Sequence, residues 1–153
     1  MISDTKFNIV IYKPEIAMNV GNIMRTCACS NMVLHIIRPI GFPLGKDGLF
    51  GKNKRSSLDY NCQWYIYDNW DHFLSIKNQN NKYILVAITP HTKLTINHIP
   101  YNKNYILVFG RESDGFDDET HGFMDMLCSI PMAHNQRSYN ICVSVALTIS
   151  RWI

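Results

Sequence analysis

Five short runs punctuate this chain, at Phe7–Tyr12, Val33–Ile37, Trp64–Tyr67, Tyr83–Ile88 and 105–109, and most are apolar on both faces. A strand of a one-sided antiparallel sheet keeps a polar face, whereas a strand covered by helices above and below has none. The runs therefore predict a parallel sheet between helical layers, an α/β fold. Helical spacing falls between them, over 20–30, 70–77 and 118–127, and a last helix is expected over about 140–152. Residues 39–55 hold Gly41, Gly45, Gly48 and Gly51 with Pro39 and Pro43 and show no period, which predicts a long surface loop.

One core is expected, so residues 1–153 read as a single domain: 153 residues are too few for two ordinary domains, and 46% hydrophobic against 18% charged residues excludes disordered and fibrous classes. The five cysteines are an odd number in a chain that needs no disulfide staples, and they contain no Cys-x-x-Cys pair. With six scattered histidines, they imply a reduced cytoplasmic protein with no metal. The first residues lack the apolar stretch of a signal peptide, and the most apolar window, 139–153, is shorter than the ~20 residues that span a bilayer. A soluble protein without membrane attachment is expected. In the last helix, Ile141, Val145, Ile149 and Trp152 share one side while Val143 and Leu147 cover another. That is either a central core helix or one that also meets a second subunit.

Three segments hold residue types that carry chemistry. In the first, Asn19-Val20-Gly21-Asn22-Ile23-Met24-Arg25-Thr26, Asn19 is a candidate helix N-cap. If Ile23 and Cys27 point inward, Arg25 lies about 200° of helix rotation from Ile23 and shares an outer face with Asn22 and Cys29. It is there either as a solvated arginine or as a phosphate or ribose contact. The second, Gly110-Arg111-Glu112-Ser113-Asp114-Gly115, directly follows a strand, which is where parallel sheets bind ligands and where a plain Gly-rich turn is also common. The third is Ile130-Pro131-Met132 with Ser138-Tyr139-Asn140 at the head of the last helix, where Ser138 or Asn140 either caps that helix or bonds a ligand.

Familiar phosphate and nucleophile motifs are absent. The spacing from Gly45 to Gly51-Lys52 is one residue too long for a P-loop, and Asn53 stands where Ser or Thr is required. No Gly-x-Gly-x-x-Gly follows a strand and no Gly-x-Ser-x-Gly occurs, which argues against dinucleotide oxidoreductases and α/β-hydrolases. The charge excess is local: Lys46, Lys52, Lys54 and Arg55 against Asp47 leave residues 46–55 with +3, the formal charge of the whole chain. Tyr60, Trp64, Tyr65 and Tyr67 follow, so this stretch either grips RNA phosphates and unstacked bases or is a solvated loop leading into a core strand.

Taken in order, Pro14-Glu15-Ile16 with Asn19 to Thr26, Phe109 to Gly115, and Ile130-Pro131-Met132 with Arg137-Ser138-Tyr139-Asn140 resemble the three motifs of the SpoU/TrmH group of SPOUT RNA methyltransferases. Residues 34–42, Leu58-Asp59-Tyr60 and the short N-terminal stretch look most like its small TrmL (YibK-like) subfamily. The resemblance covers nearly the whole chain. It implies a parallel α/β sheet with a C-terminal deep trefoil knot, a homodimer, and S-adenosylmethionine as methyl donor, leaving S-adenosylhomocysteine. The acceptor it implies is the ribose 2′-hydroxyl of the tRNA wobble nucleotide, cytidine or modified uridine, in leucine isoacceptors, with the anticodon stem-loop as the part gripped. By position, Ile88, Thr89, Gly110, Ile130, Met132 and Ser138 would contact the cofactor, and Asn19, Arg25, Glu112 and Asn140 would form the reaction site. Arg25 and Arg137, with Lys52, Lys54, Arg55 and Tyr60, would contact RNA. Another tRNA position, ribosomal RNA, or a non-catalytic RNA-binding role are the other readings, and the intact Asn19, Arg25, Glu112, Ser138 and Asn140 argue against the last. The chain departs from the subfamily at Cys142-Val143-Ser144, where a small polar residue, Asn and Ala are usual, and in its short tail.

In such a family an arginine at the Arg25 position is cast as a general base, yet a guanidinium does not deprotonate in a protein. A clamp that holds the adjacent phosphate and stabilises developing alkoxide charge fits its chemistry better.

Overall fold

The computed structural model describes residues 7–43, 61–79, 82–134 and 136–153. Six strands form one sheet: β1 (Phe7–Tyr12), β2 (Val33–Ile37), β3 (Trp64–Tyr67), β4 (Tyr83–Ile88), β5 (Asn104–Phe109) and β6 (Met126–Cys128). Their order is β3-β2-β1-β5-β4-β6 and every pairing is parallel. The helices are α1 (Ala17–Cys29), α2 (Trp70–Lys77), α3 (Asp118–Gly122) and α4 (Ile141–Ile149).

Burial follows the alternation that a two-sided strand must have. Along β1, Phe7, Ile9 and Ile11 enter a core shared with Val20, Ile23 and Cys27 of α1 and Ile141, Val145 and Ile149 of α4. Val10 and Tyr12 enter the opposite core with Trp70 and Phe73 of α2. All six residues of β1 and all five of β2 are buried.

Three expectations need correction. Residues 118–127 are not one helix: Asp117 caps a short α3 by accepting from the Thr120 N–H (2.9 Å), and the chain then becomes β6. Pairing with β4 (Val86↔Met126, Ile88↔Cys128), together with Asp125 accepting from the Leu85 N–H at 2.8 Å, outweighs the local helical spacing. Helix α1 starts at Ala17, so Asn19 lies inside its first turn and is not the N-cap, which is Ile16. The last helix ends at Ile149, and Trp152 instead packs on the Phe7 ring (4.8 Å between centroids).

Of the aromatics of β3, Tyr67 lies in the core, and Trp64 and Tyr65 pack against it half-buried. Tyr67 is buried and bonds Nδ1 of the buried His35 (2.8 Å), while Tyr65 stacks on that ring. His35 Nε2 donates to Asn8 Oδ1 (3.0 Å), so the imidazole sits neutral between an acceptor and a hydroxyl donor. Burial pushes its pKa down from 6.5 to about 3. The unfolded chain binds this proton below pH 6.5 and the folded chain does not, so the contribution is intact above that pH and fades as pH falls. Thermal or urea unfolding should show stability dropping by about 2 kcal/mol more between pH 7 and pH 5 than in His35→Gln. Equal slopes in the two proteins would refute this assignment.

Candidate active site

Because all six strands run parallel, their carboxyl ends lie along one edge. Chain order reverses direction across the sheet between the neighbours β1 and β5, the position where open α/β sheets bind ligands. The loops leaving those two strands are 13–16 and 110–117.

The second loop folds back on itself. Arg111 N–H donates to Gly115 O (2.9 Å), Gly115 N–H returns to Arg111 O (3.1 Å), and the Arg111 guanidinium pairs with Asp114 at 2.7 Å. Gly115 has φ +74°, and a Cβ on Gly110 would lie 2.6 Å from the Gly115 carbonyl carbon, so the close return requires glycine at both places. The turn aims Glu112 at the start of α1. Its carboxylate accepts from the backbone N–H of Glu15 (2.9 Å) and Ile16 (3.3 Å) and from Asn19 Nδ2 (3.0 Å).

Ile16 has no side-chain acceptor of its own, so a carboxylate from a residue about a hundred positions away supplies the cap and meets the positive end of the helix dipole. Glu15 reciprocates by accepting from the Ser113 N–H and Oγ, both at 2.9 Å. The loops are thus clasped from both sides.

Asn19, buried at 7% exposure, joins this clasp to α4. Its Oδ1 accepts from Asn140 Nδ2 (3.3 Å) and from the Cys142 thiol (3.4 Å), which also contacts the Asn19 carbonyl (3.3 Å). Burial pushes the Cys142 thiol pKa up, keeping the proton it donates. Asn140 meanwhile caps α4 by accepting from the Cys142 N–H (2.8 Å). With Glu112 on one side and two donors on the other, the Asn19 amide has a fixed orientation. Arg137 donates to the Ser113 carbonyl (3.4 Å), bringing the segment before α4 to the same loop.

Three of the four expected reaction-site residues, Asn19, Glu112 and Asn140, therefore form one connected network. Arg25 is exposed on the same helix, six residues and about 9 Å along the axis from Asn19. Met18, Asn22, Arg25 and Cys29 form one exposed stripe of that helix. Of the expected cofactor residues, Ile88 and Thr89 close β4, Gly110 follows β5, and Ile130 and Met132 follow β6, so they occupy adjacent strand ends. Thr89 N–H donates to Cys128 O (2.9 Å), fixing two of these ends together. Ser138 is exposed two residues ahead of Asn140. Lys52, Lys54, Arg55 and Tyr60 lie outside the described residues. Among the described residues, no group of three metal-ligating side chains could hold an ion, and no helix is long and apolar enough to cross a membrane.

Sequence reasoning did not assign parts to Glu15, Ser113 or Cys142. Glu15 lies within the first motif, which was the available signal, but its partner Ser113 lies 98 positions away.

Residues 6–150 match the model of the SpoU rRNA Methylase family. A tRNA (cytidine(34)-2′-O)-methyltransferase of Saccharophagus degradans is 35% identical over 148 residues, covering 94% of this chain and 91% of that protein. A solved structure concerned with 2-OH methylation of C/U34 on tRNA superposes with a TM-score of 0.82 at 31% identity, over 95% of this chain and 92% of that one. The AdoMet complex of the SpoU methyltransferase AviRb from Streptomyces viridochromogenes shares the fold, with a TM-score of 0.83 at 17% identity over 97% of this chain and 58% of that one. With the three motifs gathered on one sheet edge and these matches along nearly its full length, the chain belongs to the SpoU methylase family, alongside its tRNA (cytidine(34)-2′-O)-methyltransferases.

Proposed function

We propose that this protein methylates the ribose 2′-hydroxyl of the wobble nucleotide of tRNA, cytidine or modified uridine, in leucine isoacceptors, with S-adenosylmethionine as donor. The observation that carries the proposal is the Glu112–Asn19–Asn140 network at the switch point of a sheet whose chain belongs to this family. When bound, the cofactor supplies an activated sulfonium methyl. The ends of β5, β4 and β6 suit it: Thr89 and Ile130 are buried, Ile88 and Met132 add apolar wall, and Gly110 allows the close return of the 110–115 loop beside them. Ile88, Thr89, Gly110, Ile130, Met132 and Ser138 would hold it.

The work left to the protein is alignment and charge. Asn19 and Asn140, locked by Glu112, present fixed dipoles near the acceptor hydroxyl. Arg25 holds the neighbouring phosphate and stabilises the oxygen as it loses its proton, and Arg137 adds a second cation for RNA.

The reading includes a cytoplasmic homodimer of a single-domain chain with a C-terminal trefoil knot. Support for the dimer is an exposed apolar surface on adjacent helices: Ile16 and Met18 are 50% and 76% exposed at the start of α1, and Val143 and Leu147 are 44% and 38% exposed on α4. Arg25 shares the stripe of Met18, which suits an arginine that reaches a partner's site. Support for the knot is the order β5-β4-β6, in which the last strand lies beside β4 instead of the strand it follows. The reading is tested by incubating the protein with methyl-labelled S-adenosylmethionine and total RNA, tRNA and ribosomal RNA together, from cells lacking the wobble methylase. Label in leucine tRNA is expected. Label only in ribosomal RNA would move the substrate, and cofactor binding without label in any RNA would reject catalysis.

A further inference from the structure

The connection from β4 to β5 supports the end of a third strand on its way. Within it, Thr95 forms a parallel bridge with Ser129, the residue that follows β6. Ser129 donates to the Leu94 carbonyl through its N–H (2.8 Å) and its Oγ (3.1 Å), and Ile96 N–H donates to the Ser129 carbonyl (2.8 Å). On the opposite flank Thr89 N–H holds the Cys128 carbonyl (2.9 Å). The end of β6 is therefore fixed from both sides immediately before Ile130. Residues 94–96 form the outer wall of the strand ends that would hold the cofactor.

That wall is local structure of a weak kind, a single 3₁₀ turn over Ile96–His98, and so short a turn needs support from elsewhere. The support comes from Arg151, two residues beyond the end of α4. Its guanidinium donates to the Ile96 carbonyl, to the Asn97 carbonyl (3.3 Å) and to the Tyr101 hydroxyl (3.1 Å). It lies 4.8 Å from the centre of the Tyr101 ring and 5.3 Å from that of Trp152, and these aromatic neighbours strengthen its bonds by displacing water. A planar fork suits two successive carbonyls better than a point charge does. The Ile96 residue thus receives Arg151 on its carbonyl and offers its N–H to Ser129, which links the tail of α4 to the residue before Ile130.

We infer that Arg151 is a positioning residue for the cofactor site. Acting through Ile96 and Ser129, it sets where the backbone at Ser129 and Ile130 stands and so tunes affinity for S-adenosylmethionine. The inference rests on the cofactor reading above and adds to it a residue that no motif contains. Were Arg151 only an anchor for the end of the chain, its loss would lower stability and leave cofactor affinity in the folded protein unchanged.

The test is calorimetric titration of the full chain with S-adenosylmethionine and with S-adenosylhomocysteine, without RNA. Arg151→Met should weaken binding of both about tenfold, and Arg151→Lys, which keeps the charge but reaches fewer acceptors, about threefold. Amide exchange at Ile96 and Ser129 should accelerate in Arg151→Met. In the methylation assay KM for the cofactor should rise, with KM for RNA and kcat at saturating cofactor near wild type. Wild-type affinity in folded Arg151→Met overturns the inference, and if that variant does not fold, wild-type affinity in Arg151→Lys does so. The two readings fail separately. Weakened binding in the variants without methyl transfer to any RNA supports the inference and removes the catalytic reading, whereas a wild type that binds neither compound removes the cofactor reading and this inference with it.

Discussion

Arg25→Ala should lower methyl transfer by about 10²–10³-fold, the effect expected when a positioned group that stabilises developing negative charge is removed. Circular dichroism and cofactor affinity should stay as in the wild type, because Arg25 is exposed on the outer stripe of α1. Arg25→Lys keeps the charge but loses the planar fork, so it should retain part of the activity and the same pH dependence. A pH–rate profile with one essential base that disappears in Arg25→Lys would favour proton abstraction by this residue instead. If Arg25 completes a site across the dimer, mixing Arg25→Ala with an inactive Gly110→Ala protein should restore activity. Free subunit exchange makes half the dimers mixed, each with one intact site of two, so recovery should reach about a quarter of wild type. No recovery in subunits that demonstrably exchange would place Arg25 and the cofactor in one protomer.

Glu112→Ala should damage both stability and activity. The side chain accepts three hydrogen bonds, two of them from the otherwise uncapped start of α1, so its loss should cost about 2 kcal/mol and lower Tm by roughly 4–8 °C. Activity should fall further than unfolding explains, by about 10–100-fold, because Asn19 loses the acceptor that sets its amide orientation. Glu112→Gln separates these effects. One of its amide positions becomes a donor facing donors, so it retains bulk yet cannot satisfy all three groups. An unchanged Tm in Glu112→Ala, measured by calorimetry, would contradict the capping role.

What the sequence made legible follows from the range of the interactions involved. Strands β1 to β4 have the bounds their apolar runs predict, and β5 is longer by Asn104 alone, because burial on both faces leaves a local trace. Strand β6 is only three residues long, and what makes it a strand is β4, some forty positions earlier, so local spacing reads as helix. Asn19 shows the same limit at the site. As a cap residue it has the right type, but the cap comes from Glu112, 93 positions away, and Asn19 becomes the link between that carboxylate and Asn140. Motif order groups Asn19, Glu112 and Asn140, and the fold joins them by hydrogen bonds. The reciprocal bond of Glu15 to Ser113 and the thiol of Cys142 were not legible, since each acquires its part only when distant loops meet.

The central claim is that the methyl group goes to a ribose oxygen at the first anticodon position, and alkaline digestion of methyl-labelled tRNA tests it most directly. A 2′-O-methyl group removes the hydroxyl that alkali needs for strand cleavage. Label is therefore expected in a single alkali-resistant dinucleotide that begins with the wobble nucleotide. Label released as a mononucleotide, the product of methylation on a base, would contradict it.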